Sequence, residues 1–214
     1  MIKLYVAEIR NLQDPKENSA LLEGLAKYRQ EKILRYKYAM GRIQSLGAGL
    51  LLKKVLNEYR IPQDSIKIGK NGKPEAEGFH FNLSHTDGLV ICVVGKKAVG
   101  CDVEKIKKAS TEIAKRYFTD SEISYLRECS NEVFDREFFR IWTTKEAYMK
   151  MTGEGMSLGL NHVEVCFYDE KISVWREGKK ADCYVKEYDI PGYKITVCSE
   201  EKEFAEEIVQ CDLT

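Results

Sequence analysis

Apolar positions recur along the chain with two different periods, and each change of period marks a predicted element. The first apolar run, 1–9, is short and reads as a β-strand. A helical pattern follows at about 19–38, and a second helix has a buried stripe formed by Ile43, Leu46, Leu50, Leu51 and Val55. Strand patterns come next at 79–83, 89–94 and 98–104. Asp87 and Gly88 predict a tight turn between the first two of these strands.

The second half of the chain again places helical patterns before strand patterns. The helices are predicted at 110–117, 120–128 and 131–152. Thr119 and Glu122 have the spacing of a capping box, and Gly153 is a typical helix stop. Strand patterns follow at 163–168, 172–176, 181–187, 193–199 and 204–209. Since each half reads as helices followed by an antiparallel meander, we expect an α+β fold with two similar subdomains, 1–104 and 105–214.

Composition narrows the class of protein. Lys and Arg number 34, as do Asp and Glu, and a net charge of zero argues against a protein that mainly binds nucleic acid. No apolar stretch approaches the length of a membrane span, and the first run is too short for a signal peptide. The seven cysteines form no Cys-x-x-Cys pair, which favours reduced thiols over disulfides or a zinc site. We therefore expect a cytoplasmic protein without a nucleic-acid or membrane partner.

A strand with two carboxylates is the first candidate for chemistry. In 99–104, Gly100, Asp102 and Glu104 share one face, and the apolar residues share the other. Adjacent carboxylates repel each other unless a positive charge lies between them, and Mg²⁺ often binds a few carboxylates together with phosphate oxygens and water. The alternative is a solvent-facing strand edge that happens to read Asp-x-Glu, and the hexapeptide alone favours that alternative.

A long helix supplies a third carboxylate and a cation. Trp142, Glu146 and Lys150 lie four residues apart and therefore on one stripe, one turn after Phe138 and Phe139. The alternative is an ordinary surface ion pair between Glu146 and Lys150, worth about 0.2–0.5 kcal/mol. A continuous aromatic and charged face is unusual for a solvated helix, and this favours a functional surface.

Potential anion-binding groups occur elsewhere in the first half. Ser84 and His85 end a predicted strand beside a tight turn, where a hydroxyl and an imidazole can donate to an anion. A turn histidine without a role is an equally good explanation. The candidate phosphate-binding cations are Lys32, Arg35, Arg42 and Lys73, although runs such as 27–37 are usually solvated faces.

Together these segments resemble the Sfp-type family of 4′-phosphopantetheinyl transferases. The resemblance rests on three motifs in family-like order: Asn-Leu-Ser-His at 82–85, Gly-Cys-Asp-Val-Glu at 100–104 and Trp-x-x-Lys-Glu-Ala-x-x-Lys at 142–150. It extends to 72–74, to 114–119 with Glu122, and to 155–158. The long members of the family are similar to two fused α+β units. The resemblance therefore implies a monomer with pseudo-twofold symmetry and a site at the seam.

The family's activity is transfer of the phosphopantetheine arm of coenzyme A onto a serine of an apo acyl, peptidyl or polyketide carrier protein, which releases 3′,5′-ADP. The resemblance implies Mg²⁺, for which Mn²⁺ could substitute, held by Asp102, Glu104 and Glu146. Glu146 would be the base for the serine, while Lys150 and His85 would hold the pyrophosphate and Lys150 would stabilise the leaving group. The other implied contacts to coenzyme A are Lys32, Arg35 and Arg42 at the nucleotide end, and Lys73 and Ser84 at the phosphates.

Two other functions stay open from the sequence. A metal-dependent phosphodiesterase would use the same carboxylates on water, and a non-catalytic module would bind coenzyme A or the carrier protein without turnover. For a transferase, the basic stretch 105–116 is a predicted docking surface for an acidic carrier protein, with Tyr117 and Phe118 expected to be exposed.

Overall fold

The computed structural model describes residues 1–69, 71–155, 159–168 and 171–213. Its helices are α1 (Lys27–Arg35), α2 (Ala39–Glu58), α3 (Thr111–Tyr117), α4 (Asp120–Glu128) and α5 (Asn131–Thr152). Its strands are β1 (Ile2–Glu8), β2 (Lys67–Ile68), β3 (Pro74–Glu75), β4 (His80–Thr86), β5 (Leu89–Gly95), β6 (Val99–Lys105), β7 (Val163–Tyr168), β8 (Lys171–Arg176), β9 (Lys179–Lys180), β10 (Tyr184–Ile190), β11 (Tyr193–Ser199) and β12 (Phe204–Gln210). Short 3₁₀ turns cover Ser19–Leu22, Gln63–Ser65 and Leu160–His162. The predicted α+β class is confirmed.

The helix boundaries of the second half follow from local chemistry. The Thr119 hydroxyl accepts the N–H of Glu122, whose carboxylate accepts the N–H of Thr119, so α4 begins at the predicted capping box. Gly153 ends α5 in the left-handed conformation, with a φ of 73°. The predicted helix at 19–38 is wrong at its start. The α1 helix begins only at Lys27, because Gly24 adopts a φ of 72° and interrupts the helical path.

Two large sheets lie at the centre of the molecule. The first has the strand order β12-β1-β5-β4, and within it only β12 and β1 are parallel. The second has the order β10-β11-β6 and is antiparallel. The described residues also contain the two smaller sheets β2-β3 and β7-β8-β9. The predicted β4–β5 hairpin is confirmed, with Thr86 paired to Leu89 across the turn.

The antiparallel meander predicted for the first half is wrong in its last strand, β6. Both edges of β5 are occupied, by β1 and by β4, so β6 pairs with β11 instead. Its apolar residues Val99, Cys101 and Val103 join one hydrophobic cluster with Ile91 and Val93 of β5. The two strands are therefore packed face to face rather than paired edge to edge.

Strands also cross the predicted boundary between 1–104 and 105–214. The first sheet takes β12 from the end of the chain, and the second sheet takes β6 from the first half. Each large sheet thus contains strands from both halves. The division into two subdomains and their pseudo-twofold relation stay predictions.

Each large sheet is covered by one long helix. Leu46, Leu51 and Val55 of α2 share a cluster with Tyr5 and Val90 from the outer face of the first sheet. The α5 helix packs on β6 and β11 of the second sheet. The inner faces of the two sheets meet in a second cluster. As a result, α5 and the polar face of β6 are held against each other at the edge of this four-layer core.

Three of the cysteines, Cys92, Cys101 and Cys198, are buried, and the other four are half-buried. All seven are free thiols. Burial raises the pKa of Cys101 to about 12, so this thiol is protonated near neutral pH. Within the described ranges, no helix is both long enough and apolar enough to cross a membrane.

Candidate active site

Gly100 brings the long helix onto the carboxylate strand. A Cβ atom at this position would lie 2.1 Å from the Ala147 carbonyl oxygen and 2.3 Å from the Met151 nitrogen. The α5 backbone therefore contacts β6 with no side chain between them. Because Glu146 and Lys150 flank this contact on α5, they lie next to Asp102, two residues along β6. The aromatic stripe predicted for α5 anchors it: the Phe138 and Trp142 rings stack with centroids 6.2 Å apart.

Asp102 is the most enclosed member of this group. It is 4% exposed, so the solvent-facing alternative for β6 is wrong. Its Oδ1 accepts the Ser84 hydroxyl at 2.8 Å and the Lys150 ammonium at 2.6 Å. Its Oδ2 is buried and has no hydrogen-bond partner within the described part of the chain. An uncompensated buried carboxylate oxygen costs free energy, and a bound cation would remove that cost.

The surroundings of the other two carboxylates, Glu104 and Glu146, raise their pKa values. Glu104 is half-buried, and its Oε2 accepts the Thr86 hydroxyl at 3.2 Å. Burial, together with the negative charge of Asp102, raises the pKa of Glu104 to about 7. The same two causes raise the pKa of Glu146, against the lowering effect of Lys150. Such shifts are expected where carboxylates face one another without a cation between them.

The donor set suits a hard divalent cation. Asp102 offers an unpartnered oxygen, and Glu104 and Glu146 carry negative charge close to it. Among the described residues, no three carboxylate, histidine or cysteine side chains form a complete metal cluster. Mg²⁺ is usually held by one or two carboxylates and completes its shell with substrate phosphates and water, so joint binding by Asp102, Glu104 and Glu146 stays a prediction.

A cavity opens beside these carboxylates, between the α1–α2 pair and the end of α5. Its wall includes the predicted residues Lys32, Lys73, His85 and Lys150. Lys150 belongs to the cavity wall and also pairs with Asp102, so it joins the cavity to the carboxylates. Four of the predicted phosphate contacts are thus brought together from distant parts of the sequence.

A loop of the first half closes one side of the cavity. The Asn71 side-chain amide donates to the Gly153 carbonyl at 2.7 Å, and the Lys73 ammonium donates to the Lys150 carbonyl at 2.7 Å. Both carbonyls belong to the last turn of α5, where free carbonyl groups favour a nearby cation. This contact ties the two halves together at the cavity.

His85 is neutral in this environment. Burial lowers its pKa to about 4, and the positive charge of Lys150 contributes to the shift. A phosphate bound in the cavity would act in the opposite direction, because a negative charge favours the protonated imidazole.

Three residues predicted to contact coenzyme A lie next to other protein groups in the structure. The Arg42 guanidinium forms a buried bidentate pair with Asp14 and donates to the carbonyls of Tyr36 and Lys37. The Arg35 side chain is 80% exposed and lies 3.9 Å from Glu31. Neither arginine is among the cavity residues. The Ser84 hydroxyl donates its single proton to Asp102.

Sequence reasoning missed Arg29 as a site residue. The run 27–37 was expected to be a solvated face, yet Arg29 is 6% exposed and lines the cavity. Its Nε and the Ser45 hydroxyl, also in the wall, are buried without a partner among the described residues. The available signal was the helical stripe of Leu25, Arg29 and Ile33, which places the arginine on the buried face.

The predicted carrier surface needs one correction. Phe118 is 4% exposed and packs in the cluster of Phe138, so it is not available to a partner. Tyr117 is half-buried against Trp142, while Ile113 on the same helix is 41% exposed. The 155–158 motif lies outside the described residues beyond Gly155.

Comparison with known proteins gives a consistent result. The profile of the 4′-phosphopantetheinyl transferase superfamily matches residues 98–198. The chain is 30% identical to 4′-phosphopantetheinyl transferase Sfp of Bacillus subtilis, over 97% of this chain and 96% of that protein. It is 30% identical to 4′-phosphopantetheinyl transferase gsp of Aneurinibacillus migulanus, over 93% and 86%. It is 40% identical to 4′-phosphopantetheinyl transferase HetI of Nostoc, over 54% and 53%. The chain belongs to the 4′-phosphopantetheinyl transferase superfamily.

Proposed function

We propose that the protein transfers 4′-phosphopantetheine from coenzyme A to a serine of an apo carrier protein. The observation that carries the proposal is the contact of Lys150 with both Asp102 and the cavity, which puts a carboxylate cluster beside a cationic pocket. A nucleotide pyrophosphate needs both features: cations for its charge, and a metal site at the bond that breaks. The comparisons support the same chemistry.

The residues that would hold Mg²⁺ are Asp102, Glu104 and Glu146. When bound, Mg²⁺ would neutralise charge on the pyrophosphate and polarise the phosphoryl oxygen. The negative charge of Asp102 raises the pKa values of Glu104 and Glu146, which supports this assignment. A cation between the three carboxylates would relieve that repulsion. Mn²⁺ could substitute, since it shares a preference for carboxylate and phosphate oxygens.

Glu146 is proposed as the base for the carrier serine. It accepts the hydroxyl proton, directly or through water, as the serine oxygen forms a bond to the phosphorus that carries pantetheine. The bond from that phosphorus to the bridging oxygen breaks, and 3′,5′-ADP leaves with the electron pair. Burial raises the pKa of Glu146 toward the range in which a general base works well at neutral pH. Lys150 stabilises the charge on the leaving group.

The cavity cations would bind the rest of coenzyme A. Lys73, His85 and Lys150 are proposed to hold the pyrophosphate, and Lys32 the nucleotide end, together with the buried Arg29. The contacts predicted for Arg35, Arg42 and Ser84 stay predictions, and those of Arg42 and Ser84 would require them to exchange their present partners.

The carrier protein is proposed to dock on the exposed basic surface formed by α3 and the segment that precedes it, 105–110. Lys107, Lys108 and Lys115 are exposed there, and Ile113 adds an exposed apolar group. These features fit an acidic partner. Charge reversal of the three lysines should raise the KM for the carrier and leave the KM for coenzyme A unchanged. An unchanged carrier KM would contradict the surface. We also propose that the protein is cytoplasmic and acts as a monomer. Light scattering at micromolar concentration would test the oligomeric state.

Intact-mass measurement of purified apo carrier proteins tests the activity. Incubation with the protein, coenzyme A and Mg²⁺ should add the phosphopantetheine mass to the carrier, and Glu146→Gln should abolish that addition. A phosphodiesterase would consume coenzyme A without changing the carrier mass. A binding module would do neither, and its affinity would survive Glu146→Gln.

A further inference from the structure

The two large sheets are joined at β4 and β6 by side chains instead of a backbone ladder. Three β4 side chains at alternate positions accept backbone N–H groups of β6. The Asn82 amide oxygen accepts from Cys101 at 3.0 Å, the Ser84 hydroxyl from Val103 at 3.3 Å, and the Thr86 hydroxyl from Lys105 at 3.3 Å. Backbone donors of a buried strand must be satisfied, and here side-chain oxygens satisfy them.

Two of these three β4 side chains also contact carboxylates of β6. The Ser84 hydroxyl donates to Asp102 Oδ1 at 2.8 Å, and the Thr86 hydroxyl donates to Glu104 Oε2 at 3.2 Å. A hydroxyl has one hydrogen, and a carboxylate in the ionised form that binds a cation only accepts, so in that form each hydroxyl is the donor. Each hydroxyl thus accepts a hydrogen bond from a β6 backbone N–H and donates one to the β6 side chain one residue earlier.

The hydrogen-bonding capacity of each of these β4 side chains matches the β6 residue that it faces. Asn82 lies opposite the segment of Gly100, which has no side chain to orient, and its amide oxygen accepts from the backbone N–H and the thiol of Cys101. Where the β6 side chain is a carboxylate, the β4 residue is Ser or Thr, which can accept and donate at the same time. This correspondence goes beyond what is needed to join the sheets.

We propose that Thr86 is a positioning residue that orients the Glu104 carboxylate for the divalent cation, in the way that Ser84 orients Asp102. Thr86 lies outside the cavity wall and is buried. Its hydroxyl donates to Oε2 of Glu104 and leaves the other oxygen of that carboxylate for the cation. Partners of this kind around metal ligands typically change metal affinity by about 10–100-fold. The inference rests on the proposed metal site.

The test compares Thr86→Val with Thr86→Ser. Valine keeps the shape and removes the hydroxyl, whereas serine keeps the hydroxyl. Binding of Mn²⁺ in the presence of coenzyme A is measured by the electron paramagnetic resonance signal of free Mn²⁺, independently of turnover. We expect Thr86→Val to weaken Mn²⁺ binding by at least about 10-fold and Thr86→Ser to bind within about twofold of the unsubstituted protein.

Ser199→Ala is the matched control for loss of stability. The Ser199 hydroxyl also accepts a backbone N–H, from Glu201, and donates its proton, to the Ala98 carbonyl, but it touches no carboxylate. Both variants should lower the melting temperature, and only Thr86→Val should weaken Mn²⁺ binding. Equal Mn²⁺ affinity in folded Thr86→Val, or an equal loss in Ser199→Ala, would overturn the positioning role alone. Failure of the unsubstituted protein to bind Mn²⁺ with coenzyme A would overturn the metal site as well.

Discussion

Replacing Gly100 by alanine should separate the two parts of the active site. The added carbon would lie 2.1 Å from the Ala147 carbonyl oxygen, where ordinary contact begins at 3.4 Å. The opposing atoms are helix backbone, which cannot rotate away as a side chain could. The α5 helix must therefore move from β6 by more than an ångström, and Glu146 and Lys150 move with it, away from Asp102.

The magnitude follows from the size of this displacement. Overpacking a buried site costs about 1–3 kcal/mol, and we expect the upper end because backbone must shift. A displacement of about 1 Å between catalytic groups can reduce the rate by about 100-fold. Gly100→Ala should therefore lose about 3 kcal/mol in urea unfolding and about 100-fold in kcat for carrier modification at saturating coenzyme A.

Gly95→Ala provides the matched control. Gly95 is also a strand glycine without a left-handed φ, and its added carbon would first meet the Glu201 carboxylate at 3.1 Å, which is the movable end of a side chain. This variant should retain most of its activity and stability. The reasoning is refuted if Gly100→Ala unfolds at the same urea concentration as the unsubstituted protein and keeps its kcat.

Three further substitutions test individual charges. Lys145→Met should lower the free energy of unfolding in urea by about 3–5 kcal/mol. The Lys145 ammonium lies 2.5 Å from buried Glu122, which would lose its counter-charge. An unchanged midpoint of urea unfolding would contradict this. The bond from Arg42 lowers the pKa of Asp14 from 3.8 to about 2, so its stabilising effect is complete above the unfolded-state pKa and is lost as the pH falls toward 2. Asp14→Asn should therefore reduce the acid dependence of guanidinium unfolding, and an identical pH profile would count against the pair. Lys150→Gln should reduce kcat about 10²–10³-fold through loss of leaving-group stabilisation, and a loss below tenfold in single-turnover assays would exclude that role.

Local chemistry in the sequence was enough to predict most of the elements, although not the start of α1 or the short strands β2, β3 and β9. The ends of α4 and α5 depend on a capping box and on Gly153, which act within one helical turn. The alternation along β6 likewise predicts which side chains share a face, and Asp102 and Glu104 do lie on the face opposite Val103. Such features involve neighbours in the sequence, so they can be read without knowing the fold.

Only the tertiary structure decided what each face meets. Periodicity does not identify the partner of a strand edge, so it could not show that β5 is fully paired and that β6 joins β11. It also could not show that Arg29, on the buried face of its helix, lines the cavity, that Phe118 is covered, or that Thr86 contacts Glu104. These contacts join residues far apart along the chain, and their geometry depends on how the sheets and helices pack. The sequence alone determined which chemical groups are present and on which face of an element they lie, whereas packing determined which groups meet.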